Sequence, residues 1–404
     1  FFKQKTAYEI YQCDWSSDVC SSDLPFPVTQ KRQSKKRITM ANKAIHVLAA
    51  VALLLASCSN DDTVQVASGK GIRFRMAVDM NTRALSADLT GLKATGFSVS
   101  AFATADNEEK YGFRSLLFTH EAGTENDWTS DPLKYWPDDG SELRFVAACP
   151  AAADWGGTYE GDKPGELKVT GFSPAADITG QKDLLAGYAS GDRNNAAKTE
   201  IELRHVLTQV EVRAKNTNAT YRYDVKAVRI GSVHSTGDYT FPSETNANGS
   251  WTLKDGSYAS YTTAELTDPI RLTSDAKGLM DDSGTAMLLP QQLTAWDTKD
   301  DKENKKNGSY IALLLKITTE AGRQVYPSAE GEYGWAAVSI GGHAESKKNL
   351  WQPGDKFVYT LDLSNGAGVM PPDSPDPGEP VLGQPIRFTV TVNNWVIRHQ
   401  DVNL

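Results

Sequence analysis

The chain is poor in the residues on which cross-linking and catalysis most often depend, with four cysteines and six histidines among 404 residues. Cys13 and Cys20 fall in a leading segment set aside below, and Cys58 sits in a processing signal. Cys149 alone remains, so no disulfide can form within the mature chain and the fold must be held by its core. Cys149 lies in the apolar stretch Phe145-Val146-Ala147-Ala148-Cys149, where a buried, inert thiol is expected. The histidines of the main body (His120, His205, His234, His343 and His399) share no ligand spacing. His205 alternates with Leu203 and reads as a satisfied strand residue. Also missing are G-x-G-x-x-G, a Walker loop, G-x-S-x-G, C-x-x-C and H-E-x-x-H, the local signatures of nucleotide, hydrolase, redox and zinc chemistry. The pairs Asp138-Asp139, Asp281-Asp282 and Asp300-Asp301 lack the ordered oxygen spacing of a calcium loop and read as solvated turns. No cofactor or metal is implied, and an enzyme is not the expectation.

Long apolar runs are equally scarce. Ala44 to Leu55 is one, too short for the roughly twenty residues that cross a bilayer. It follows Asn42-Lys43 and precedes Leu55-Ala56-Ser57-Cys58, so charge, apolar core, small residues and cysteine come in the order of a secretory signal. The L-A-S-C string resembles a lipobox, which implies lipidation of Cys58. Ser59-Asn60-Asp61-Asp62 resembles the acidic signal that sends lipoproteins to the outer surface. Upstream, Phe1 to Leu24 contains K-Q-K-T-A-Y-E-I and D-W-S-S-D-V-C-S-S-D-L, which resemble translated sequencing-adapter oligonucleotides. The expectation is that 1–39 is not part of the protein and that 40–57 is a signal peptide.

Residues 1–57 hold eight of the Lys/Arg and four of the Asp/Glu. The remainder therefore carries 34 basic and 47 acidic side chains, a net charge of −13. Such an acidic chain repels nucleic acid and anionic lipid, so attachment to a membrane is expected through lipid alone.

What the chain has in abundance is period-two alternation, the mark of half-buried strands. Ile72 to Val78 alternates without a break. Phe97 to Phe102 does so with a register slip, and Leu143 to Ala147 runs up to Pro150. Glu200 to Val206 and Gln209 to Arg213 form one long or two consecutive strands, ended by Asn216-Thr217-Asn218. Tyr221 to Ile230 is expected to stop at Gly231. Short strands follow at Gly237–Phe241, Ser250–Leu253 and Met287–Pro290. Tyr310 to Ile317 is nearly continuously apolar and is expected to be central, and Phe357 to Leu363 alternates cleanly. Many short strands between turn signals predict an all-β chain of two sandwiches, with a boundary near Asn216. Val369 to Pro380 holds five prolines and reads as a semi-rigid extended spacer that could reach about 37 Å at ~3.1 Å per residue. An isolated strand, Pro385 to Val392, follows it.

Two further features stand out. Thr82-Arg83-Ala84 lies just beyond the first strand. In addition, Gly69-Lys70-Gly71-Ile72-Arg73-Phe74-Arg75-Met76-Ala77-Val78 is nearly repeated as Gly383-Gln384-Pro385-Ile386-Arg387-Phe388-Thr389-Val390-Thr391-Val392, with five of ten positions identical. Alternation accounts for the apolar matches, but not for the shared Gly, Arg and Phe. The glycosylation-type triplets at Asn218, Asn248 and Asn307 are common by chance and carry no weight.

Tyr135-Trp136-Pro137, Phe145 to Pro150, Asp183-Leu184-Leu185-Ala186, the Leu203–Val212 strand pair, Leu288-Leu289-Pro290-Gln291 and Trp351-Gln352-Pro353-Gly354 occur in one order along the chain. With the lipobox and T-R-A, this set resembles the fimbrillin family, the subunits of type V pili, over roughly Cys58 to Leu404. The resemblance implies two transthyretin-like β-sandwich domains, at 84–216 and 217–368. It also implies a propeptide at 58–83 containing the first strand, a spacer at 369–380 and a donor segment at 381–404. An arginine-specific surface protease would cut between Arg83 and Ala84. The excised strand would carry Ile72, Phe74, Met76 and Val78, and a donor strand with Ile386, Phe388, Val390 and Val392 would replace it. Implied partners are identical or related pilus subunits, the protease, and outer-membrane lipid through Cys58 in the precursor, with host or bacterial surface glycans or proteins as candidates. The implied role is a surface pilus subunit serving adhesion and biofilm formation. Two other readings stay open. One is an uncleaved anchor subunit. The other is a tip adhesin or glycan-binding lipoprotein with an exposed aromatic platform, at Trp155/Tyr159 or Trp335/Tyr333.

Overall fold

A computed structural model describes residues 70–77, 89–124, 127–195, 199–280, 284–297 and 308–394. In chain order the first strands are β1 (Phe74–Ala77), β2 (Phe97–Phe102), β3 (Phe113–His120), β4 (Asp127–Ser130) and β5 (Leu143–Cys149). Then come β6 (Thr158–Glu160), β7 (Lys168–Phe172), β8 (Leu185–Gly191), β9 (Glu200–Glu202), β10 (Arg204–His205) and β11 (Thr208–Lys215). The middle set is β12 (Tyr221–His234), β13 (Gly237–Thr240), β14 (Ser250–Leu253), β15 (Tyr258–Thr262), β16 (Ile270–Arg271), β17 (Lys277–Gly278) and β18 (Ala286–Leu288). The last are β19 (Gln291–Gln292), β20 (Tyr310–Thr319), β21 (Gln324–Tyr326), β22 (Gly334–Ser339), β23 (Leu350–Trp351), β24 (Asp355–Asp362) and β25 (Arg387–Asn394). Two short α-helices, Leu89–Thr95 and Glu108–Tyr111, and short 3-10 turns such as Ala152–Asp154 and Ile178–Gly180 are minor elements of what is an all-β chain.

The first sheet has the order β10-β8-β5-β2-β3-β4-β1-β9. Only Leu203 separates β9 from β10, so one short segment touches both ends of the sheet. β9 lies parallel to β1, and β10 lies antiparallel to β8. The sheet thereby curls closed around a core that includes Ile72, Phe74, Phe97, Phe118, Trp128, Trp136, Phe145 and Ile201, all at most 1% exposed.

The second core lies between two sheets. One runs β17-β11-β24-β25 with β18 beside β11, and the other runs β15-β12-β20-β21 with β16 beside β12 and β22 beside β20. Val210, Val212, Phe357 and Tyr359 face Val228, Ile230, Leu313 and Leu315 across it. The Tyr310–Thr319 strand is central, as its continuous apolar run predicts, because it is covered twice. Ile311, Leu313, Leu315 and Ile317 enter the main core, while Tyr310 and Ala312 pack on the other face with Trp296, Ala337 and Trp335.

Three expectations are corrected. The change of core falls before β11, not near Asn216. Thr208 to Lys215 pairs with Asp355–Asp362 and with β18, and its inward valines belong to the second core. Strand β12 does not stop at Gly231 but continues to His234. Glycine is used there because a Cβ would collide with the Tyr310 ring lying over it. Finally, residues 369–380 are not an extended spacer. Val369 bridges to Ala337 and Pro380, Gly366 bridges to Gly383, and the Met370 and Gly378 amides donate to the Glu379 and Met370 carbonyls at 2.9 Å each. Pro371 and Pro372 are buried, and Asp373 is bound by Arg229, whose guanidinium stacks over Trp335. Composition indicated a stiff coil, but the Asp-Ser-Pro-Asp-Pro-Gly run supplies turn residues that close it into a docked loop.

Candidate functional site

The site of interest is built around β1. Its approach is pinned first: the Ile72 amide donates to the Lys134 carbonyl at 2.7 Å and the Trp136 amide to the Lys70 carbonyl at 3.1 Å. From Phe74 the strand lies between two others, antiparallel to β4 through Phe74↔Trp128 and parallel to β9 through Met76↔Ile201. Alternation then sorts its side chains. Ile72 and Phe74 are completely buried, whereas Arg73 and Arg75 point to solvent. The Phe74 ring meets Phe118 and Phe145 edge-on at 4.9 Å each and lies 6.4 Å from Phe97. Such aromatic contacts add to the transfer free energy of burial. The outward arginines are held by carboxylates on the β3–β4 side. Arg73 donates to both oxygens of Glu121, at 3.0 and 3.3 Å, and Arg75 lies 3.5 Å from Asp127. Taking β1 away would open the closed sheet along two strands at once and leave an apolar slot lined by aromatic rings.

The C-terminal strand is placed quite differently. β25 is the edge strand of its sheet and pairs antiparallel with β24 over eight residue pairs, from Asp362↔Arg387 to Asp355↔Asn394. Ile386 and Val390 are buried in the second core, at 5% and 4% exposure. Phe388 is half-buried with its ring 6.1 Å from Tyr359, and Val392 is 36% exposed. Arg387 is exposed and has no ion-pair partner among the described residues. The two near-repeats thus lie in separate sheets. The Met76 side chain, Val78, Cys58, Arg83 and Ala84 lie outside what is described.

The candidate aromatic platforms do not stand out to solvent. Trp155 is 5% exposed and packs 5.5 Å from Tyr239 and 5.1 Å from Phe241, with Tyr159 beside Phe241. This correction has a topological reason that the sequence did not signal. β6 and β7 join β13 and β14 in a four-stranded sheet, so residues from distant parts of the chain bury Trp155 between them. Trp335 and Tyr333 are half-buried. Arg229 lies 4.0 Å over the first ring, and Lys226 and Lys316 lie 4.7 and 4.9 Å over the second, so each ring already carries a cation from a neighbouring strand.

Among the described residues no group of three or more His, Cys, Asp or Glu side chains could hold a metal ion. His205 binds the buried Asp183 carboxylate at 2.9–3.0 Å, a fully internal pair within the strand framework. Burial pushes the Cys149 thiol up to about 12, which removes it as a nucleophile at ordinary pH. The other motifs of the resemblance are structural. Trp351 is buried and donates its indole N–H to Tyr359 Oη at 3.1 Å, and Gln291 uses its amide to bind both the N–H and the carbonyl of His234.

No curated protein matches the chain in sequence. Among solved structures, a fimbrial protein from Bacteroides vulgatus is similar, with a TM-score of 0.50 at 16% identity, over 80% of this chain and 100% of that one. A fimbrillin from Porphyromonas gingivalis has a TM-score of 0.42 at 14% identity, over 82% of this chain and 98% of its own. The family model described as fimbrillin-like matches residues 82–395, a span that opens just past β1 and closes just past β25. By that match, which takes in most of its length, the chain belongs to the fimbrillin-like family.

Proposed function

We propose that the chain is a structural subunit of a surface fimbria, not a catalyst, and that it polymerises by exchanging β1 for the C-terminal strand of another copy. The observation that carries this reading is the position of β1. It is a single short strand flanked on both sides, and its excision would leave an aromatic slot with two open ladders. A strand added there restores the backbone pairing and sends alternate side chains into the slot. In this scheme cleavage after Arg83 frees β1. Ile386, Phe388, Val390 and Val392 of the next copy then take the places of Ile72, Phe74, Met76 and Val78.

Apolar burial sets the scale of the exchange. Burying four such side chains contributes roughly 6–12 kcal/mol gross, at about 1.5–3 each. Leaving the second core forfeits the burial of Ile386 and Val390, roughly 3–6 kcal/mol by the same measure, and part of that of Phe388. The docked 369–380 loop must also unfold, and once extended it could span about 37 Å. Lipidation at Cys58 would hold the precursor at the outer membrane until it is cut, and the assembled fimbria would serve adhesion and biofilm formation. Limited arginine-specific proteolysis of the purified precursor tests the reading. Wild-type chain should convert to a ladder of polymers, and Phe388→Asp should remain monomeric although it is cut equally well. Ladders from Phe388→Asp identical to wild type would end it.

A further inference from the structure

The two near-repeats share more than apolar alternation. Arginine follows isoleucine in both, at a position that faces outward and so plays no part in filling the slot. Just before β1 this residue is Arg73, whose guanidinium grips both oxygens of Glu121 at 3.0 and 3.3 Å. Its counterpart, Arg387, is exposed and without an ion-pair partner among the described residues. Excision of β1 would therefore leave Glu121 with a vacant guanidinium position, while each copy carries one unpaired guanidinium on the strand proposed to enter.

We propose that Arg387 of one copy replaces Arg73 on Glu121 of the next, and that this ion pair fixes the register of the incoming strand. The inference rests on the strand-exchange reading above. Register needs such a device because a strand can slip by two residues and still keep its apolar side chains inward. The outward positions of the entering strand are Pro385, Arg387, Thr389 and Thr391, so only one carries charge. A slip in one direction sets Thr389 opposite Glu121. The slip in the other direction carries Arg387 toward Asp127, but it sets Pro385 at Glu121 and Ile386, not Phe388, among Phe97, Phe118 and Phe145. The correct register alone satisfies both the aromatic slot and the carboxylate. Bidentate arginine–carboxylate geometry suits this task, because it constrains direction as well as distance. The second pair of β1, Arg75 with Asp127, has no counterpart, since Thr389 takes the place of Arg75. Selection thus falls on a single charge pair, and the partner it selects is a second copy of this chain.

Full-length precursors carrying Glu121→Lys, Arg387→Glu or both would be cut under identical limiting arginine-specific proteolysis, with lysine chosen so that no new arginine is offered. Each single change should slow ladder formation roughly 3- to 10-fold, in the range of exposed to partly buried charge pairs. The double change should return it to within about twofold of wild type by restoring opposite charges. Asp127→Lys should have less effect than Glu121→Lys. Single variants that polymerise like wild type, or a double variant no better than either single, would overturn the assignment. Phe388→Asp separates the two levels. If it blocks assembly while the charge variants do not, only the register pair is wrong, and if it too assembles normally, the strand exchange itself is wrong.

Discussion

Replacing Phe388 by alanine should have one consequence in the precursor and a much larger one in the polymer. In the precursor Phe388 is half-buried on an edge strand, with Tyr359 as its one aromatic neighbour among the described residues. Half of the usual phenylalanine burial amounts to about 1–1.5 kcal/mol. In the polymer the same ring would stand where Phe74 stands, at zero exposure among Phe97, Phe118 and Phe145. Truncation of a fully buried phenylalanine costs about 3–5 kcal/mol, which weakens retention of the strand by more than about a hundredfold. Phe74→Ala should reverse the pattern, with roughly 3–5 kcal/mol lost from the precursor and nothing from the polymer. Urea melts of the two precursors measure one side. The fraction of ladder surviving stepped heating in detergent measures the other. Phe388→Ala precursor destabilised as much as Phe74→Ala, or Phe388→Ala polymer as durable as wild type, would refute the reasoning.

Three further outcomes are expected. Arg83→Ala should yield an uncut monomer retaining β1, and intact mass spectrometry of surface-extracted protein would show it; polymer in that variant with the same N-terminus as wild type would reject the assigned cleavage site. Cys58→Ala should abolish incorporation of a fatty-acid analogue, so persistent labelling would move the lipid elsewhere. Cys149 should resist alkylation at about pH 8 until the chain unfolds, because burial holds its thiol protonated. As the unfolded thiol ionises near 9.0 and the folded one near 12, the unfolded state binds fewer protons between them. Stability should therefore be intact below 9.0 and fall as the pH rises above it, with the earliest part of that fall absent in Cys149→Ala.

Much of the strand inventory is legible because alternation reports local burial. Ile72 and Phe74 inward, Arg73 and Arg75 outward, and the doubly covered Tyr310–Thr319 strand all follow from side-chain order alone. What is not legible depends on partners far along the chain. Nothing near Thr208 says that its strand belongs with Asp355–Asp362, since the same alternation would serve either core. The burial of Trp155 is likewise decided by Tyr239 and Phe241, more than eighty residues away. The proline-rich segment misled for a different reason. Proline and glycine suit an open coil and a closed loop equally, and the choice fell to Arg229, Trp335 and Ala337, which contribute from other strands. Of the candidate site, the first strand could be found from its pattern and near-repeat, but its two-sided pairing could not.

The four-stranded sheet that buries Trp155 also bears on mechanics. β7 and β13 are hydrogen-bonded neighbours, the Trp251 indole N–H reaches the Val206 carbonyl at 2.7 Å, and the Met287 amide reaches Gln181 Oε1 at 2.7 Å. Between the closed sheet and the second core there is thus a cross-braced joint where a single covalent crossing would have allowed swivelling. If copies are joined by the strand exchange proposed above, tension would cross this brace in every subunit. Each subunit should then respond as one stiff unit, and the filament should bend at the contacts between copies before it bends within them.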